Sequence, residues 1–220
     1  MRAVVVGTGR MGSEMARLLT ATGHTVVAHI ARPTPSFWEA VEADAVIDFS
    51  HASQVAAIVR GVLPKGLLLL TGTTGWQSEE ESLQAWAKTL PHARWTWSSN
   101  FSRGILLLKK VLLALQANPK LLEGWESALM EIHHQRKKDK PSGTAHALAQ
   151  ILPPSQGITS VRVGEVVGEH SLWLSAAGEE LVLTHRAHSR EVFARGALWA
   201  LEALAAQPAP FVGPWEALLR

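Results

Sequence analysis

The chain of 220 residues contains no cysteine. That removes disulfides, thiolate nucleophiles and zinc–thiolate sites together, and it fits a reducing cytoplasm. Long apolar runs are missing too: stretches such as Leu67–Leu70 and Val111–Leu115 fall well short of the ~18 residues a membrane span requires. No basic segment followed by an apolar one precedes a cleavage-like site, and a strand-like run begins at the second residue. The expectation is a cytoplasmic protein without a signal peptide or a membrane partner. Charge of one sign is also scarce. The formal net charge is +2, with ten histidines besides, too small an excess to point by itself to nucleic acid. What is present is an ordinary globular composition, 47% hydrophobic and 18% charged, which excludes wholesale disorder. A chain of this length makes one or two domains and buries roughly 70% of its unfolded surface. It carries no internal repeat and no low-complexity tract.

The first half alternates short apolar strands with helical stretches. Arg2–Val6, Thr25–Ile30, Ala45–Phe49, Leu67–Leu70 and Trp95–Ser98 read as strands. Between them lie an amphipathic stretch through Leu19, then Gln54–Val62, then Glu79–Lys88 with a capping box of Ser78 and Glu81. This rhythm predicts an α/β fold: an N-terminal Rossmann-type parallel sheet with helices on both faces. After about residue 101 the pattern changes. A long helix (Gly104–Gln116) leads to a strand at Ser127–His133, a polar loop and a short helix near Ser142. Short strands follow from Ile158 to Arg186, with Gly164, Gly168 and Gly178 read as turns, before a last helix at Arg190–Ala206 and a proline-rich tail. The strands from Ile158 to Arg186 read as an antiparallel and not a βαβ pattern, and this part predicts a smaller α+β domain with a mixed, largely antiparallel sheet. The change of pattern after about residue 101 divides the chain into two parts.

Gly7-Thr8-Gly9-Arg10-Met11-Gly12 follows a strand and opens a helix. In such a loop the first glycine permits the tight turn and the second lets a pyrophosphate approach the backbone. The third lets the helix pack closely, with its N–H groups and positive end left for phosphate. Dinucleotide binding is the functional reading, and a purely structural turn the alternative. The usual acidic residue after the second strand is missing. His29-Ile30-Ala31-Arg32 stands there, and an arginine suits a 2′-phosphate, which favours NADPH over NADH unless Arg32 is only a solvated loop residue.

The segment from Glu131 to Thr144 holds His133, His134, Arg136, Lys137, Lys138 and Lys140, followed by Ser142-Gly143-Thr144. So many cations repel one another unless an anion sits among them. Small residues at a helix start offer backbone N–H groups to a carboxylate. A bland solvated loop would account for the lysines but not for paired histidines beside a helix N-terminus. A metal site is not expected, because adjacent histidines on a strand point to opposite faces and nothing was seen to complete a ligand set. Nucleic acid would want the charge repeated elsewhere among exposed aromatics. A small carboxylated substrate fits best. There is no Walker A, H-E-x-x-H or G-x-S-x-G. Most of the nine tryptophans are expected in the core, with Trp76 a possible ligand neighbour.

Taken together, these motifs resemble the 4-hydroxy-tetrahydrodipicolinate reductase (dihydrodipicolinate reductase) family. The resemblance rests on Glu131-x-His133-His134-x-x-Lys137-x-Asp139-x-Pro141-Ser142-Gly143-Thr144-Ala145, Arg10-Met11-Gly12, Asp48-Phe49-Ser50, Gly72-Thr73-Thr74-Gly75 and Ser98-Ser99-Asn100-Phe101-Ser102. Arg162-x-Gly164, Gly168-Glu169-His170 and Thr184-His185-Arg186-Ala187-x-Ser189-Arg190 extend it. It implies an NAD(P)H-dependent oxidoreductase reducing a cyclic imine with two carboxylates, in the diaminopimelate route to lysine, and a homotetramer built through the sheet of the second domain. By the same resemblance the bounds expected are 1–101 for a dinucleotide-binding domain, completed by the returning segment 190–220, and 102–189 for a substrate-binding and tetramerisation domain. Gly7, Thr8, Gly9, Arg10, Met11 and Gly12 would hold the pyrophosphate. Phe49, Ser50, Gly72, Thr73, Thr74, Ser98, Ser99, Asn100 and Phe101 would line the rest of the cofactor. His133 would be the acid/base and Lys137 the proton donor, while His134, Lys137, Ser142, Gly143 and Thr144 would bind the substrate. The glycine loop is one residue shorter than the family's common form, and the segment after the second strand is short as well. Both departures touch the adenine and phosphate end, so they bear on NADPH against NADH rather than on the chemistry. Two other readings remain: a related two-domain dehydrogenase of aspartate or homoserine type, which would not need the histidine–lysine loop, and a non-enzymatic dinucleotide sensor, which would have no use for a proton donor.

Overall fold

A computed structural model describes residues 1–219. In chain order the elements are β1 (Arg2–Val6), α1 (Arg10–Ala21), β2 (Thr25–Ile30), α2 (Pro35–Ala40), β3 (Ala45–Asp48), α3 (Ala52–Val62), β4 (Leu68–Thr71), α4 (Gln77–Ala87) and β5 (Arg94–Trp97). Then come α5 (Arg103–Gln116), β6 (Glu126–His133), α6 (Gly143–Ile151), β7 (Ile158–Arg162), β8 (Gly168–Ala176), β9 (Glu179–Ala187), α7 (Glu191–Ala205) and β10 (Phe211–Pro214). The chain divides into two units, Met1–Ser102 with the returning segment from Phe193, and Arg103–Val192. Arg220, part of the expected returning segment, lies outside the described residues.

The first unit is a six-stranded sheet in the order β10-β5-β4-β3-β1-β2, with every pairing parallel. Its strands read as near-continuous apolar runs because both faces are covered. Val4 and Val6 join α3, α4 and Trp95 in one core. Val5, Ile47 and Leu70, of the opposite parity, have no exposure either. β2 lies on one side of β1, and β3 followed by β4 on the other, so the strand order reverses between β1 and β3. Ligands of open α/β sheets bind where the strand order reverses, outside the carboxyl ends.

The second unit is a four-stranded sheet, β7-β6-β8-β9. Its core is Leu129, Leu172 and Leu174 packed on α5 and α6 through Ile105, Leu108, Leu112, Ala145 and Leu148. The predicted fold class holds: a Rossmann-type parallel sheet plus a smaller α+β unit with a mixed sheet.

Several local expectations are corrected. The strands after β6 are not all antiparallel: β7 runs parallel to β6, which makes β6-α6-β7 a crossover unit. Gly168 is no turn but the first residue of β8. The Ser78/Glu81 capping box is not used, since α4 starts at Gln77 behind Trp76 and no side chain caps it. Trp76 itself is core, its indole N–H donating to the Thr73 carbonyl at 2.8 Å and its ring resting 5.6 Å from that of Trp95. The proline-rich tail contains β10, which pairs with β5 at the sheet edge.

Candidate active site

The glycine loop is shaped by what surrounds it. Gly7 has φ +106°, and a Cβ there would lie 2.1 Å from the Phe49 carbonyl oxygen. At position 12 a Cβ would lie 1.7 Å from the Gly7 carbonyl oxygen, so α1 docks on the loop only because residue 12 has no side chain. A Cβ built on Gly9, by contrast, would meet nothing within 4 Å. Gly9 is also the N-cap of α1, with no side-chain cap and no acidic residue in the first turn. The helix therefore presents bare N–H groups and an uncompensated positive end towards that open space. The residues present fit a dinucleotide pyrophosphate.

The neighbouring loops are locked together through Asp48. Its Oδ1 accepts hydrogen bonds from the Ser50 N–H and the Thr73 hydroxyl, both at 2.9 Å. Burial pushes the Asp48 carboxyl up, against those hydrogen bonds. The Phe49 ring fills the space beside Gly72, where a Cβ would meet its Cε1 at 2.1 Å. Thr74 and Ser99 are exposed. Ser98 donates to the Asn100 carbonyl at 2.9 Å, and Asn100 Oδ1 accepts from the Ser102 N–H at 2.8 Å. Phe101 is different: its side chain is buried against Trp215, so its ring belongs to the core. Arg32 lines a cavity of about 300 Å³ with Trp38, Ser53 and Gln54. Thr8 and Arg10 are exposed, and Met11 half-buried.

In the second unit, β6 alternates sides: Glu131 and His133 are buried, with Ile132 and His134 half-buried between and beyond them. Glu131, with no exposure, pairs with His133 Nδ1 through one oxygen. Its other oxygen pairs with Arg162 of β7 at 2.7 Å. Burial pushes the Glu131 carboxyl up, but Arg162, Ser160 and His133 outweigh it and hold it below the ordinary range. Burial also lowers His133, partly offset by Glu131, so the ring favours its neutral form. With Nδ1 facing Glu131, His133 Nε2 turns to Gly168, where a Cβ would come within 3.1 Å of it.

The His170 ring of β8 lies 5.1 Å from that of His133, edge to face, and its Nε2 is 3.2 Å from Ser142 Oγ. Burial, with help from His133, lowers His170 to about 3. The unfolded residue takes a proton near pH 6.5, whereas the folded one takes it only near 3. Between those values the unfolded state binds more protons, so stability rises with pH across that window and is lost as pH falls. His170→Gln, which keeps a hydrogen-bonding partner for Ser142, flattens the urea midpoint plotted against pH between 6.5 and 3. A slope unchanged from wild type rules out His170 as its source.

Lys137 is paired: its Nζ lies 2.8 Å from an Asp139 oxygen. The Asp139 carboxylate also accepts from the Gly143 N–H, the first amide of α6. Ser142 is the N-cap of that helix, its Oγ accepting from the Ala145 N–H at 3.2 Å. The loop's cations are thus partly answered within the chain, by Asp139 on Lys137 and by Glu165 on Arg136. Of the residues expected to bind substrate, Ser142 and Thr144 are buried, Gly143 exposed, and His134 and Lys137 half-buried.

Arg162, His170, Glu131 and Asp139 stand in the motifs of the resemblance, and their roles are visible only in the structure. The two-residue spacing of Glu131 and His133 was a usable signal, because it puts both on one face of a strand. Among the described residues, donor atoms of Glu131, His133 and His170 lie within 4.8 Å of one another, so the argument that nothing completes such a set is corrected. Arg162 already pairs with the carboxylate of that set and repels a cation, which makes it an ion-paired cluster.

Family models match both halves of the chain: "Dihydrodipicolinate reductase, N-terminus" over residues 1–101 and "Dihydrodipicolinate reductase, C-terminus" over 104–216. The chain belongs to the dihydrodipicolinate reductase family. Relatives named 4-hydroxy-tetrahydrodipicolinate reductase include one from Stenotrophomonas maltophilia R551-3, 35% identical over 90% of this chain and 88% of that protein. Another, from Xanthomonas campestris pv. campestris B100, is 36% identical over 91% and 90%. In fold, the chain is similar to a dipicolinate-bound dihydrodipicolinate reductase from Paenisporosarcina sp. TG-14 (TM-score 0.73, 19% identity, 99% of this chain and 98% of that one). An aspartate dehydrogenase from Thermotoga maritima shares the fold less closely (TM-score 0.53, 11% identity, 96% and 99%). Membership in this reductase family makes the protein an oxidoreductase that works with a nicotinamide dinucleotide. No helix among the described residues is long and apolar enough to cross a membrane.

Proposed function

We propose that this reductase-family chain reduces 4-hydroxy-tetrahydrodipicolinate, by way of dihydrodipicolinate, to tetrahydrodipicolinate, in the diaminopimelate route to lysine. The first unit is assigned the nucleotide and the second the substrate. The observation that carries the reading is Lys137 held beside the amide end of α6 through Asp139, next to a histidine oriented by a buried carboxylate. Substrate carboxylates take over from Asp139 at the Lys137 ammonium and the Gly143 and Thr144 amides, with His134 and Ser142 completing the grip. A bound dihydronicotinamide supplies the hydride. Addition to the conjugated cyclic imine leaves an enamine, and Lys137 delivers the proton that restores the imine, His133 serving as the acid/base group. The aspartate- or homoserine-dehydrogenase reading and the sensor reading leave Lys137 and its partners without a purpose.

The favoured nucleotide is NADPH, with NADH the second choice. Arg32 supports this, since it lines a cavity at the end of β2 with the first turn of α3. A homotetramer is supported by the face of β8 and β9 away from the core, where Trp173 sits opposite Val182 and both are exposed. A cytoplasmic location is supported by the absence of cysteine. The test follows nucleotide absorbance when the purified chain meets the freshly made aldol product of pyruvate and aspartate semialdehyde. Oxidation well above the enzyme-free control is expected, and none would overturn the assignment. In the same assay Arg32→Ala raises KM for NADPH about tenfold and leaves NADH unchanged, the worth of one charge-assisted contact. Equal effects on both nucleotides remove the role given to Arg32.

A further inference from the structure

The reaction needs His133 and Lys137 in fixed positions, yet one lies at the end of β6 and the other in an exposed loop. A single side chain reaches towards both. The guanidinium of Arg162, at the end of β7 and largely buried, sends Nη2 to Glu131 Oε1 at 2.7 Å and to the Asp139 carbonyl at 2.6 Å. Its Nη1 is anchored on the Val161 carbonyl at 2.8 Å. Glu131 is the partner of His133 Nδ1, and Asp139 is the partner of Lys137 Nζ. We propose that Arg162 is a positioning residue for the reduction, one strut holding His133 through Glu131 and Lys137 through Asp139.

The chemistry suits arginine in particular. A planar guanidinium serves two acceptors in different directions, whereas an ammonium is a single point charge. β7 pairs with β6 in parallel register, with Arg162 opposite His133, so the strut starts from the sheet itself and not from a loop. Glu131 is fully buried, and its charge is tolerated there because Arg162 and His133 both answer it. Gly168 finishes the arrangement, leaving Nε2 as the nitrogen of His133 that no side chain at that position covers. Loss of the strut frees the histidine tautomer and the Lys137 loop together. Misplacement of reacting groups by about 1 Å costs about a hundredfold in rate.

The inference rests on the function proposed above, and wild-type turnover of the aldol product separates the two. If wild type is inactive, that function fails first. With an active wild type, Arg162→Ala lowers kcat about a hundredfold, leaves the Kd for NADPH unchanged, and regains much of its rate with added guanidinium but not with added ammonium. Arg162→Lys keeps a charge for Glu131 but not both contacts, and falls between. Should Arg162→Ala fail to fold because Glu131 is left unpaired, the pair Glu131→Gln/Arg162→Met removes both charges and is read in its place, with the same loss in kcat expected. A folded variant with kcat within about threefold of wild type, or a loss that guanidinium does not restore in folded Arg162→Ala, overturns the strut.

Discussion

Lys137→Ala lowers kcat by about 10²- to 10⁴-fold, the usual worth of a positioned general acid, and leaves the KM for the nucleotide near its wild-type value. Nζ is held at 2.8 Å by Asp139, whose carboxylate also engages the first amide of α6, so the ammonium is fixed where a substrate carboxylate would dock. Folding changes little, because both partners are partly solvated and such ion pairs contribute little to stability. Lys137→Arg does not restore the rate, since a guanidinium stays protonated at any working pH. His134→Ala behaves differently: KM for the substrate rises and kcat holds. Steady-state kinetics on the four proteins decides the matter, and near-normal turnover by Lys137→Ala removes the proton-donor assignment.

Gly12→Ala abolishes nucleotide binding and destabilises the fold by about 1–3 kcal/mol, the cost of forcing an extra methyl into a packed site. The obstacle is the Gly7 carbonyl oxygen, 1.7 Å from the new Cβ, and backbone cannot swing aside as a side chain can. Gly9→Ala makes the informative contrast. Nothing lies within 4 Å of its Cβ, so the fold is untouched, but the methyl enters the space read here as the place of the pyrophosphate. Urea midpoints fall for Gly12→Ala alone, while NADPH affinity falls for both. Full NADPH affinity in Gly9→Ala would falsify the placement of the phosphates.

The difference between what was legible in the residues and what was not has physical causes. β1, β3 and β4 announce themselves because a parallel strand covered on both faces is almost wholly apolar. The glycine loop is legible because two of its three glycines are compelled by close backbone approach. β10 escaped notice because prolines surround it, and prolines are admissible at a sheet edge, where N–H groups need no partner. The direction of β7 leaves no trace in its own five residues, since parallel and antiparallel pairing ask for the same side chains there. At the site, the histidines and lysines of one loop declared themselves by crowding. Arg162 and His170 did not, because they reach the loop from neighbouring strands and only the register of the sheet brings them to Glu131 and His133. Linear spacing carries information within an element and little between elements.

The closure of the first sheet has a consequence for synthesis. β5 acquires its outer neighbour β10, and Phe101 its buried partner Trp215, only from residues that follow the whole of the second unit. On the ribosome, the stretch Arg103–Val192 is therefore complete while the first sheet still has β5 as a bare edge. The contiguous unit matures first, and the interrupted one waits with an unpaired strand until its last segment emerges. An open edge of that kind is where nascent chains pair wrongly with one another. Slower translation through α7 and β10 lengthens the time for which β5 stands unpaired on its outer side.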